Sequence, residues 1–100
     1  VSDNAQAIDA NPVTVKKVTI QNERGLHARA SAKFVTVASE FDTEIFVSKE
    51  GTEVIGTSIM GLMMLAASKG DIVTLKATGQ LGKKALEALA QLIDDKFGED

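Results

Sequence analysis

The 100-residue chain contains no cysteine, one histidine and one proline. Without cysteine there is neither a disulfide framework nor a Cys-based metal site, so apolar burial must offset the entropy of ordering the chain, and a reducing compartment is the matching environment. A lone histidine with no cysteine also leaves no zinc-type ligand cluster. Excess positive charge is missing too. Lys and Arg number 11 against 14 Asp and Glu, a formal net charge of −3, which gives no electrostatic reason to expect nucleic acid as a partner. The longest nearly unbroken apolar run, Ile59–Ala67, falls well short of the ~20 residues a helix needs to cross a bilayer. Val1 to Asn11 carry no Lys or Arg and no apolar segment, unlike a secretory signal. These absences predict a soluble cytoplasmic protein with no membrane partner.

What is present is a chain of one-domain length with 44% hydrophobic residues, enough for a core. Residues 1–12 are polar and small, end in Asn11-Pro12 and read as a flexible leader to a single domain over 13–100. Val13, Val15, Val18 and Ile20 predict a strand with a slip in face near Lys16-Lys17, a pair read as a solvated strand end. After the loop Asn22–Gly25, apolar residues at helical spacing predict a helix from Ala28 to Glu40. Thr43–Ser48 and Thr52–Ile55 alternate around Lys49-Glu50-Gly51 and predict a hairpin. A second helix covers the run Ile59–Ala67 and ends at Lys69-Gly70-Asp71. A strand follows over Ile72, Val73, Leu75 and Ala77. Leu86, Leu89, Ile93 and Phe97 then mark a last amphipathic helix with Gly98 as its stop. The order β-α-β-β-α-β-α suits an α+β sandwich of two layers, an antiparallel sheet with helices on one face.

His27 follows the Glu23–Leu26 loop and opens the first helix. The helix start presents unpaired N–H groups and a partial positive charge. That field disfavours imidazolium, leaves a neutral nucleophile, and favours an anion carried on the ring. Arg29 can reach such an anion with its fork of donors. Histidine nucleophile, amide donors and guanidinium together describe a phosphoryl acceptor. The plain alternative is a capping or packed histidine. Ser58 has two readings as well: an N-cap worth about 1 kcal/mol, or a phosphorylation site that would gain about −1.5 to −2 charges. In Ile59–Leu65 no residue is charged. Leu62 and Leu65 serve the core, while Ile59, Met60 and Met63 form either more core or an exposed, adaptable docking face. Lys83-Lys84 and Asp94-Asp95 sit against the dipole of the last helix.

Gly25-Leu26-His27-Ala28-Arg29 with Ala32-Lys33-Phe34-Val35, and then Ser58-Ile59-Met60-Gly61-Leu62, resembles the HPr family, the histidine-containing phosphocarriers of the bacterial phosphotransferase system. The likeness runs over about residues 13–97, and Gly51-Thr52-Glu53 with Leu62-Met63-Met64-Leu65 is similar to the family's nitrogen-related regulatory branch. The resemblance implies an open-faced sandwich of four antiparallel strands and three helices. It implies a phosphocarrier, not an enzyme, loosely grouped with transferases and needing neither cofactor nor metal. His27 would take phosphate on Nδ1 from enzyme I, charged by phosphoenolpyruvate, and pass it to enzyme IIA-type acceptors. Arg29 corresponds to the active-site arginine. Ser58 matches the serine that an ATP-dependent HPr kinase/phosphorylase modifies in some lineages. Ala28, Ala32, Ile59, Met60 and Met63 fall where the family contacts its partners, and a monomer is the simplest expectation. Ala30 stands where the family usually has proline, which bears on the placement of Arg29. The alternative function is a non-catalytic regulator whose docking surface is gated by phosphorylation.

Overall fold

The computed structural model describes residues 12–99, so the leader read over 1–12 lies, Pro12 apart, outside the described residues. Four strands, β1 (Val13–Thr19), β2 (Ile45–Lys49), β3 (Thr52–Ile55) and β4 (Ile72–Thr78), alternate with three helices, α1 (Ala28–Ala38), α2 (Ile59–Met64) and α3 (Gly82–Asp94). A 3-10 turn, Lys96–Gly98, follows α3. The sheet runs β1-β4-β2-β3 with every neighbouring pair antiparallel. Between β2 and β3 the two-residue turn Glu50-Gly51 has positive φ at both positions (49° and 88°), the hand that matches strand twist.

Period-two alternation decides which face is covered. Val73, Leu75 and Ala77 of β4 point inward, in register with Val18 on one side and Val47 and Ile45 on the other. Ala30, Phe34 and Ala38 of α1, Leu62 of α2, and Ala85, Leu86, Leu89 and Ile93 of α3 close over them. The opposite face stays open, with Val13, Val15 and Ile72 each more than half exposed. The fold is thus the open-faced α+β sandwich, with all three helices on one side.

Four expectations need correction. Strand β1 pairs with β4 without interruption, so there is no backbone slip. Val13 and Val15 differ in parity from Val18 and Ile20, and a regular strand sends the two pairs to opposite faces. Lys16 and Lys17 lie mid-strand instead of at an end, exposed on an edge strand, where cations discourage pairing with another chain. Helix α2 stops at Met64, short of Ala67: Ala66 turns left-handed (φ 52°), and Lys49 Nζ donates to the Leu65 and Ala66 carbonyls at 3.3 and 3.1 Å. Helix α3 stops at Asp94 and does not reach Phe97. Lys96 and Phe97 adopt positive φ (57° and 56°), a costly hand for residues with a Cβ. Phe97 remains a core residue, fully buried. The reversal turns it back toward α1, where Lys33 Nζ donates to its carbonyl at 2.7 Å. Nothing in the structure explains two exposed lysines, Lys83 and Lys84, in the first turn of α3.

Candidate functional site

The loop before α1 is built around a close approach. Gly25 has φ 65°, and a Cβ there would sit 2.2 Å from the Ala67 carbonyl oxygen. Only glycine allows this contact. It lets Leu26 N–H donate to that same oxygen at 3.0 Å and ties the loop to the segment leaving α2. Buried Ser31 donates its hydroxyl to the Leu26 carbonyl at 3.2 Å, so both sides of the loop are held as the chain enters α1.

His27 is the N-cap of α1, with extended backbone (φ −77°, ψ −178°). Its Nδ1 accepts from the Arg29 backbone N–H at 3.2 Å, and its Nε2 lies 2.5 Å from Glu99 Oε2. These two contacts specify a tautomer. A backbone N–H can only donate, so Nδ1 must present its lone pair; a carboxylate can only accept, so Nε2 must carry the hydrogen. The ring is about one-fifth exposed, which leaves it reachable. Ala30 is buried in the first turn of α1.

His27 lines a cleft of about 450 Å³ together with Arg24, Arg29 and Lys33. Glu23 also lines it but is occupied by Lys69 at 2.5 Å. Among the described residues neither guanidinium is paired with a carboxylate. The cleft therefore brings two guanidinium groups and a helix start beside one imidazole, an arrangement suited to a doubly charged anion. Among the described residues no group of His, Asp and Glu has the clustering of a metal site.

Of the residues singled out from sequence, His27 and Arg29 share this cleft. Ser58 lies apart from its lining, as the N-cap of α2, its hydroxyl accepting from Gly61 N–H at 2.9 Å. Ala28 is exposed and Ala32, one turn later on the same helix, is half-buried. Ile59, Met60 and Met63 are exposed on α2, which packs beside α1, and Met64 joins them, 77% exposed. Leu62 and Leu65 are buried, as read.

Glu99, Arg24 and Lys33 were not anticipated. Glu99 is held at both oxygens, by His27 at Oε2 and by buried Asn22, whose Nδ2 donates to Oε1 at 3.0 Å. Burial raises the pKa of this carboxyl. The hydrogen bonds from Asn22 and His27 and the charges of His27 and Lys33 outweigh that and leave it below its ordinary value. Glu99 stands 72 positions from His27 in the chain, and no spacing rule connects them. The Asn22–Gly25 turn was the one legible hint that this loop carries a fixed polar side chain.

The family model described as the PTS HPr component phosphorylation site matches residues 14–95. The phosphocarrier protein HPr of Neisseria meningitidis serogroup A is 49% identical over 84 residues, covering 84% of this chain and 94% of that one. The phosphocarrier protein NPr of Shewanella violacea is 43% identical and covers 84% of this chain and 92% of its own. Among solved structures, HPr-C-His from Thermoanaerobacter tengcongensis superposes with a TM-score of 0.83 at 44% identity, over 87% of this chain and 98% of that one.

Proposed function

This chain belongs to the HPr family, the phosphocarriers of the phosphotransferase system, and from that premise we propose that His27 Nδ1 is the atom that carries the phosphoryl group. The observation that supports this assignment is the tautomer: one nitrogen is committed to Glu99, and the other presents a lone pair at the start of α1.

The donor is a phosphohistidine on enzyme I, itself charged by phosphoenolpyruvate. The Nδ1 lone pair of His27 attacks phosphorus, an N–P bond forms, and the donor's P–N bond breaks with its electron pair returning to the donor ring. No proton leaves His27, so its ring becomes cationic while the incoming group brings negative charge. The Arg29 N–H, which now holds Nδ1, becomes free to donate to a phosphoryl oxygen, and the Arg29 guanidinium balances the charge through transfer. An enzyme IIA-type acceptor then attacks the same phosphorus, and the bonding pair returns to Nδ1. The protein is left as it began.

Partners dock over Ala28, Ala32, Ile59, Met60 and Met63. Thioether side chains repack at little cost and suit a surface that meets donor and acceptor in turn. Phosphorylation of Ser58 by an HPr kinase/phosphorylase would place roughly −1.5 to −2 charges at pH 7 beside Ile59 and Met60, against an apolar interface. Incubation with enzyme I and labelled phosphoenolpyruvate tests the assignment. The label should be acid-labile and absent from His27→Ala. Acid-stable label, or label that persists in His27→Ala, removes the assignment and leaves docking alone as the protein's task.

A further inference from the structure

We propose that Glu99 is a positioning residue for phosphoryl acceptance: its carboxylate keeps the hydrogen on Nε2 of His27 and thereby leaves the Nδ1 lone pair facing the cationic cleft. The inference rests on the reading of Nδ1 as the acceptor atom, and it adds a residue that the His-Ala-Arg motif does not contain.

Three observations carry it. First, the contact is direct and charge-assisted, 2.5 Å from Nε2 to Oε2, and both side chains are largely shielded from solvent (22% and 17% exposed). Second, the carboxylate is held by more than the histidine. Asn22, 1% exposed, donates from one nitrogen to both Glu99 Oε1 (3.0 Å) and the Gly25 carbonyl (2.9 Å), which links Glu99 to the turn that sets His27. Third, the backbone that delivers Glu99 is costly to form. Lys96 and Phe97 both take the left-handed conformation, and the segment is anchored by complete burial of the Phe97 ring and by Lys33 on its carbonyl. A strained reversal of this kind persists only where surrounding structure over-determines it. Here it ends with a carboxylate on the one ring nitrogen that does not react.

The chemistry gives the contact two tasks. Before transfer, a hydrogen on Nδ1 would block attack, and a carboxylate at Nε2 disfavours that tautomer, since Nε2 would then be a lone pair facing an anion. During transfer the ring becomes cationic with its hydrogen still on Nε2, and the adjacent carboxylate opposes that charge. In metal sites, the partners that orient a ligating histidine contribute about 10–100-fold to metal affinity or activity, a scale for what an orienting carboxylate can do.

Nitrogen-15 NMR of the imidazole, recorded on the unphosphorylated protein at a pH where the ring is neutral, tests the proposal. Wild type should show a protonated-type shift at Nε2 and a lone-pair shift at Nδ1. Glu99→Ala, which removes the acceptor, should show both nitrogens moving toward averaged values, and its phosphorylation by enzyme I should slow about tenfold or more. Glu99→Asp should recover part of both effects. Unchanged ring shifts in Glu99→Ala overturn the proposal, whether transfer is slowed or not. Because the NMR measurement needs no phosphate, failure of wild type to accept phosphate on His27 would fall on the carrier reading alone.

Discussion

Each ring nitrogen of His27 meets a partner with one hydrogen-bonding role, a backbone donor at Nδ1 and a carboxylate acceptor at Nε2. The capping half of that pair was legible in the sequence, because a helix start and an arginine two residues on were visible in one short segment. The carboxylate half was not, since Glu99 enters only through the fold. Its protonation has a measurable consequence. The Glu99 carboxyl titrates below its ordinary value of 4.5 in the folded protein, burial opposing and the bonds from Asn22 and His27 prevailing. A depressed carboxylate contributes stability that is fully present above about pH 4.5 and is lost as pH falls through the folded value. Wild type should therefore exceed Glu99→Gln in stability near pH 6, and the gap should narrow as pH falls below 4.5. A gap independent of pH in denaturant titrations would contradict the reading of Glu99 as a carboxylate held by hydrogen bonds.

At the scale of elements, α2 has too few residues to stand alone in water. It is held by Ser58 at one end, by Lys49 on the two carbonyls just past the other, and by Leu62 and Leu65 beneath. Ser58→Ala should cost about 1 kcal/mol in urea unfolding, since the Gly61 amide loses its acceptor. An unchanged midpoint would mean that the cap contributes nothing. The sequence showed which leucines of this helix face inward, because two buried positions in so short a run leave little choice of face. It did not show where the helix stops. Ala66 carries no breaker signal, and at its left-handed turn Lys49 from strand β2 donates to two backbone carbonyls, a contact made only in the folded chain. The hairpin was the easier case, with Glu50-Gly51 marking its own turn. In β1, by contrast, the valines invited a slip in face where a regular strand places two of them on the solvent side.

At the scale of the whole molecule, the order of elements was readable because apolar periodicity switches cleanly between two and 3.6 along the chain. The closing segment was the exception. Phe97 continues the spacing of Leu86, Leu89 and Ile93, so a longer helix was the natural expectation. Tertiary packing instead reverses the backbone hand, buries the ring, and brings the segment across to the His27 cleft. Phe97→Ala should destabilise the protein by about 3–5 kcal/mol and, by releasing Glu99, weaken the Nε2 contact as well. A mild loss of stability with the His27 ring unchanged would show that the segment is not anchored by that side chain.

The phosphocarrier reading comes down to one atom. Phosphorus-31 and nitrogen-15 NMR on protein charged by enzyme I and phosphoenolpyruvate identifies the nitrogen bonded to phosphorus. The predicted result is a single phosphoimidazole with phosphorus coupled to Nδ1 of His27 and the hydrogen retained on Nε2. Phosphorus on Nε2, or on any other residue, would contradict it.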